Sequence, residues 1–319
     1  MGNLPVAHIE PARPFARTGV DYAGPFSIKA SAGQGIKTSK GYLTVFVCMC
    51  TKAVYLEFVG DLTSASFLGA LHRFAARKTT PCEIWSDNAT TFHCADAELR
   101  IMFREAGLEW DQVTRHLAAS GISWNFIPPG APHFGGLWEA AVKSAKSHLK
   151  KTIGQRTLTF EEMSTLIARV ESCLNSRPLS PLSGEIDDLQ ALTPWHLVTG
   201  FAPTAMHEPE FEPRENLDRM THWRLIKGMR NQFWMRWSRD YLHTLQQRTK
   251  WRQPQPNIEV GDLVVIMDTS LNRQGRWPLG RITAVHPGAD GQVRVATIKM
   301  ACGNFDRPIV KLCRLPPSM

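Results

Sequence analysis

The sequence predicts an α/β protein: a mixed five-stranded sheet flanked by helices, then a long helix, then a small β-barrel. Three observations lead there. Short β-branched and aromatic runs alternate with segments of helical periodicity from Arg17 to Asn175. One apolar stripe at helical spacing then runs through Met220–Trp251. Beyond Pro254 and Pro256, short strands separated by Asn, Gly and Pro turns occupy the C-terminal residues.

The elements follow in order. Arg17–Ala23, Tyr42–Cys50 and Val54–Val59 are predicted strands, the last two separated by a turn at Thr51-Lys52. Thr63–Lys78 has helical spacing through Phe67, Leu71 and Phe74, with Thr63 or Ser64 as the cap and Pro81 ending the segment. Cys82–Trp85 is a short buried strand, Asp96–Ala106 a helical segment stopped by Gly107, and Ile122–Ile127 a strand ended by Pro128-Pro129. Gly135-Gly136 precedes a helix running to Ile153, and Phe160–Asn175 is another. From Arg177 to Arg219 the chain is rich in Pro and acidic residues and reads as an extended connector.

The long helix carries Ile226, Met229, Phe233, Trp237, Tyr241 and Leu245 on one side, a packing stripe whose flanking arginines are available for phosphate. The last domain opens at Val260–Ile266, with turns at Asn272–Gly275, Pro287–Gly291 and Gly303-Asn304. The expected partition is an N-terminal extension (1–12), a core (13–205), a connector with the long basic helix (206–255) and a barrel (256–316).

Hydrophobic residues make up 43% and charged residues 21% of the 319, the proportions of a globular protein. No apolar run has the length of a membrane span, and the N-terminus lacks the layout of a secretory signal. Seven scattered cysteines without a repeated CxxC pair point to reduced thiols. Cys48 and Cys50 alternate onto one strand face and read as core.

The net charge of +8 is unevenly placed. Residues 1–221 hold 21 basic against 23 acidic residues, whereas 222–252 hold eight basic residues against Asp240 alone. Such an excess suits a polyanion, because each phosphate neutralised by Lys or Arg releases condensed counterions. It suits a solvated helix face equally well.

The chemistry concentrates at three acids. Asp21 lies inside the first strand between Val20 and Tyr22, where a charge is costly unless paired or bound to a metal. Asp87 follows the fourth strand in Ser86-Asp87-Asn88, and Glu139 lies in the opening turns of the helix after Gly135-Gly136. Three carboxylates at one end of a sheet are a donor set for hard divalent cations such as Mg²⁺, and two such ions can serve phosphoryl transfer. The His133–Gly136 turn would bring Glu139 inward. Lys143, Lys146 and Lys150 follow Glu139 at steps of four, three and four and share its helix face. An ion pair of Glu139 with Lys143 is the bland alternative and leaves most of that charge without a local partner.

These segments resemble the catalytic core of retroviral and retrotransposon integrases over residues 13–205. The resemblance is carried by Ser86-Asp87-Asn88, by Pro132, Gly136 and Glu139, and by Leu192-Thr193-Pro194. It implies an RNase H-like fold and a polynucleotidyl transferase in which Asp21, Asp87 and Glu139 hold two Mg²⁺ or Mn²⁺ ions. It further implies 3′-end processing and strand transfer of element DNA, with Lys143 and Lys146 on that DNA and Asn88 and His133 positioning DNA or a loop. Double-stranded DNA, a homo-oligomer and a nuclear location follow from that substrate.

The sequence departs from the family in Ala89 and Thr90, where Gly is common, and in the interval of 52 positions between Asp87 and Glu139, lengthened near Glu109–Gly121. This spacing, Gly-Gly-Leu-Trp-Glu and the tail are similar to BEL/Pao-type retrotransposon polyproteins. The paired His and Cys of the family's N-terminal zinc module are absent upstream of Asp21, where only His8 stands, so a truncated copy is expected.

Residues 256–316 are similar to the SH3-like barrel that follows such cores, through Val260–Val264, Trp277–Ile282 and Arg307–Leu312. Arg276, Arg281, Lys299 and Arg307 are its candidate phosphate contacts. Two rival readings stay open: a non-catalytic DNA- or chromatin-binding protein with the same fold, and a nuclease of that fold acting on RNA in hybrids.

Overall fold

Three β-rich segments separated by short connections build an antiparallel meander: β1 (Arg17–Lys29), β2 (Thr38–Cys48) and β3 (Val54–Val59). The structure is a computed structural model that describes residues 10–31, 37–86, 122–126, 132–201, 222–246, 257–267 and 276–317. On the other side of β1, β4 (Glu83–Ser86) and β5 (Ser123–Phe126) run parallel to it. The sheet order is β3-β2-β1-β4-β5, the five-stranded mixed RNase H-like arrangement that the sequence predicts. A two-residue strand, β6 (Leu158–Thr159), pairs with Ile28 and Lys29 at the far end of β1.

β1 runs six residues beyond its predicted end at Ala23. A register shift between Ala23 and Phe26 accommodates Gly24-Pro25 and lets the pairing with β2 resume beyond it. β2 ends at Cys48, so Cys50 belongs to the turn, while Cys48 is buried in the core as expected.

Helix α1 (Ser64–Arg77) is capped by Thr63, whose hydroxyl accepts from the Ser66 N–H at 3.2 Å. Its predicted stripe of Phe67, Leu71 and Phe74 is buried, and the Phe74 ring stacks on Phe46 of β2 at 4.5 Å. Helix α2 (Pro132–Ile153) starts at Pro132, a residue suited to a first helical position. His133–Gly136, expected as a turn before the helix, are therefore part of it. Leu149 and Ile153 are buried and hold its C-terminal half in place.

Helix α3 (Phe160–Asn175) begins with a capping box. The Thr159 N–H donates to Glu162 Oε2 at 2.7 Å, and the Glu162 N–H donates back to the Thr159 hydroxyl at 3.2 Å.

The chain divides into two compact units, Met1–Leu174 with Glu215–Arg230, and Asn175–Arg214 with Asn231–Met319. The segment read as an extended connector has structure of its own. β7 (Ser180–Pro181) pairs with β8 (Ala191–Leu192), and Thr193 caps α4 (Pro194–Thr199). Helix α5 (His222–Leu245) contributes residues to both units, and Ile226, Met229, Phe233 and Trp237 of its predicted stripe are buried. Lys227 and Arg230 are buried as well, so those two basic residues of the helix are withdrawn from solvent.

The second unit contains a five-stranded antiparallel sheet of order β12-β11-β10-β9-β13. Its strands are β9 (Leu263–Ile266), β10 (Leu279–Pro287), β11 (Val293–Met300), β12 (Gly303–Pro308) and β13 (Leu312–Arg314). The topology is consistent with the SH3-like domain anticipated for these residues.

Two stability predictions follow. A Cβ added at Gly41 would stand 2.7 Å from Phe58 Cε1 and closer still to Cζ, and the Phe58 ring is buried against Phe160. Gly41→Ala therefore costs about 1–3 kcal/mol by overpacking, read as a lower urea midpoint of the full chain.

At Glu162, burial alone would raise the pKa, but the Thr159 N–H and the contact with His222 outweigh it and hold the carboxyl below its ordinary value. A depressed folded-state pKa contributes stability above the ordinary glutamate range and loses it as pH falls through the lowered value. Glu162→Ala lowers stability by about 1 kcal/mol at pH 7, and its deficit relative to wild type shrinks below about pH 4. Urea unfolding at the two pH values checks both parts.

Candidate active site

Asp21 sits on the central strand of the sheet, where the pairing changes sense. Antiparallel β2 lies on one side, with Val45 opposite Asp21, and parallel β4 lies on the other. Alternation along β1 turns Tyr22 and Asp21 to opposite faces. Tyr22 packs edge-on to Phe67 of α1 at 6.3 Å, and its burial pushes the phenol pKa up, keeping it protonated. Asp21 faces away from α1, toward α2.

The carboxylate is largely covered, with its side chain 12% exposed. Oδ1 accepts the Tyr22 N–H at 2.6 Å, and Oδ2 is paired with the Lys146 ammonium of α2. Lys146 also donates to the Tyr22 carbonyl at 2.8 Å. A cation is thus accommodated against Asp21, and hard carboxylate oxygen is the donor chemistry that Mg²⁺ or Mn²⁺ would require.

β4 ends beside this point. Ser86 pairs with Val20, one residue before Asp21 along β1, and the buried Ser86 hydroxyl accepts from the Trp124 indole of β5 at 2.9 Å. Phe67 lies 5.5 Å from Trp124, so α1 braces both Tyr22 and the end of the parallel pair. In open α/β sheets, ligands bind outside the carboxyl ends of parallel strands near such a switch in strand order.

Asp87 and Asn88 lie outside the described residues. For Glu139 and His133 the description stops at the helix backbone. Position 139 is seven residues before Lys146 on α2, two turns along the same stripe. Among the described residues, no three His, Cys, Asp or Glu side chains are grouped to hold a metal. Lys143 and Lys150 are exposed on α2, whereas Lys146 is turned to the strand, a pairing that helical spacing alone did not reveal.

Arg281 requires a correction. The sequence offers it as a phosphate contact, but it is 2% exposed. Its guanidinium donates to the carbonyls of Gly261 at 2.9 Å, Ser183 at 3.1 Å and Asp188 at 2.8 Å. A rigid fork of donors suits three backbone acceptors, and its burial withdraws it from a DNA surface. Of the other barrel candidates, Lys299 pairs with Asp187 at 2.5 Å, and Arg307 lies over the Phe305 ring.

The first unit also has a groove of about 820 Å³ lined in part by Phe160, Glu161, Glu162, His222 and Trp223. Phe160 and Trp223 are about half exposed there, and the Arg169 guanidinium covers the Trp223 ring at 4.9 Å. Nothing in the sequence marks this groove, because its aromatic residues occupy ordinary helix positions.

Residues 221–315 match a family described as a family of unknown function (DUF5641). No curated protein matches the chain. Solved structures with which it aligns include a simian T-cell lymphotropic virus intasome in complex with PP2A regulatory subunit B56 gamma. That alignment is 15% identical over 99% of this chain and 84% of that one, with a TM-score of 0.38. The catalytic core domain of BIV integrase aligns at 15% identity over 58% of this chain and 95% of that one, TM-score 0.35. The HTLV-2 integrase catalytic core domain in complex with magnesium aligns at 16% identity over 59% of this chain and 99% of that one, also at 0.35. No described helix is long and apolar enough to cross a membrane.

The burial of Arg281 sets a test. Arg281→Met leaves half-buried carbonyls without their donor and destabilises the second unit by about 1–2 kcal/mol. At temperatures where that unit stays folded, affinity for duplex DNA is unchanged. Calorimetric melting and fluorescence anisotropy read the two effects separately.

Proposed function

We propose that the chain is the catalytic core and C-terminal domain of a retroelement integrase of BEL/Pao type, a metal-dependent polynucleotidyl transferase acting on double-stranded DNA. The observation that carries this reading is Asp21, a largely covered carboxylate on the central strand that already faces a cation beside the end of β4. Asp87 follows Ser86, the last residue of β4, directly in the sequence. The stripe of α2 that bears Lys146 bears position 139 two turns earlier.

In this reading Asp21, Asp87 and Glu139 hold two Mg²⁺ or Mn²⁺ ions, which when bound supply charge stabilisation for the attacking and leaving oxygens of phosphoryl transfer. The chain's residues supply position. β1 holds Asp21 on the sheet, α2 carries position 139, and Lys143 and Lys150 present cations to the DNA backbone. Asn88 and His133 orient DNA or a loop. Joining two DNA ends at one target requires more than one active site, hence a homo-oligomer, and the substrate implies a nuclear location.

A single observation favours a second reading. Asp21 is neutralised from within the chain, as in a protein that retained the fold for DNA or chromatin binding alone. Strand transfer with oligonucleotide ends in Mn²⁺ separates the two. Asp21→Asn and Asp87→Asn each reduce joining by at least about 10³-fold while leaving duplex binding intact. Duplex binding that survives EDTA, with no cutting by wild type in Mn²⁺, selects the second reading.

The exposed lysines have their own readout. Lys143→Gln or Lys150→Gln lowers the slope of log affinity against log salt by roughly 1, with little dependence on DNA sequence. An unchanged slope removes that lysine from the DNA surface.

A further inference from the structure

Lys146 does not occupy the position that the rest of its stripe does. Lys143 and Lys150 are exposed, whereas the Lys146 side chain is 20% exposed and makes two contacts on β1, to Asp21 Oδ2 and to the Tyr22 carbonyl. Asp21 is 12% exposed. Either charge left alone in so covered a place would carry a large desolvation cost, so each requires the other or a substitute.

We infer that Lys146 is the resident counter-ion of Asp21 and is displaced from it by a divalent cation, so that metal loading frees a cationic side chain for the DNA phosphates. The inference rests on the reading of Asp21 as a metal ligand. An Oδ2 lone pair engaged by an ammonium is not open to a metal ion, and a doubly charged ion at the same separation attracts the carboxylate more strongly than a single charge does. The lysine stem is flexible, and α2 already carries Lys143 and Lys150 on its solvent side, where the freed ammonium would join them. Linkage then requires the converse: DNA that draws Lys146 outward tightens metal binding at Asp21.

The test measures Mn²⁺ binding by calorimetry on the full chain without DNA, for wild type, Lys146→Met, Lys143→Met and Asp21→Asn. Lys146→Met binds Mn²⁺ about tenfold more tightly than wild type, Lys143→Met stays within about twofold because its exposed charge is screened, and Asp21→Asn loses the site. Salt dependence of duplex binding gives an independent reading. In EDTA, wild type and Lys146→Met share one slope, whereas in Ca²⁺ the wild-type slope is steeper by roughly 1.

Lys146→Met affinity equal to or below wild type, with Asp21→Asn still losing the site, overturns the inference and leaves the metal reading standing. Equal slopes in Ca²⁺ overturn the release of Lys146 to DNA. Mn²⁺ binding that Asp21→Asn does not alter removes the metal reading and this inference with it. Circular dichroism verifies folding in each variant, and Lys146→Gln carries the same expectations should Lys146→Met fail to fold.

Discussion

A carboxylate on the central strand of a sheet is an electrostatic constraint on everything packed around it. Asp21 lies between Val20, 3% exposed, and Tyr22, whose burial holds its phenol protonated. Water reaches little of its side chain, so compensation has to come from groups on neighbouring elements. The Tyr22 N–H supplies one part and Lys146 the other. Lys146 can do so only because α2 is anchored by Leu149 and Ile153, 1% and 2% exposed, which set the rotation of the helix against the sheet. Loosening that anchor would separate the charges as surely as removing either one.

The same reasoning changes what the net charge means. Lys227, Arg230, Arg177 and Arg281 are all less than 9% exposed. Burial pushes the pKa of Arg177 down, and Arg281 ties backbone carbonyls of Ser183, Asp188 and Gly261 together. A basic residue spent on internal carbonyls contributes nothing to a polyanion surface, although it counts fully in the composition. The cations that remain outward along α2 are fewer, but they share one face of one helix.

The fold was legible in the sequence where burial has a simple period. Phe67, Leu71 and Phe74 marked α1, Val54–Val59 marked β3, and Phe160–Asn175 marked α3, because one face of each meets the core. Legibility failed where a breaker is tolerated. Gly24-Pro25 lies inside β1 since a register shift absorbs it, and Gly135-Gly136 lie inside α2 since Pro132 already starts the helix. At the site, Asp21 stood out as a charge in an apolar strand. Its partner did not, because spacing along α2 tells which residues share a face but not which edge of that face meets the sheet. Arg281 was misread for a related reason: Gly280-Arg281-Ile282 alternates as strand, and only the fold shows which side the connector covers.

That edge of α2 can be argued from helix geometry. At about 100° per residue, Lys146, position 139, Lys150 and Lys143 fall in that order across an arc of about 60°. Lys146 and Lys143 are its two extremes. One extreme meets Asp21 and the other faces solvent, so the boundary between sheet and solvent runs through the arc itself. Position 139 lies about 20° from the Lys146 edge and about 40° from the Lys143 edge. A lysine four residues after that position is already turned outward. A helix rotated by one residue would lose this division, placing Lys146 well away from Asp21 and leaving a covered carboxylate without a cation.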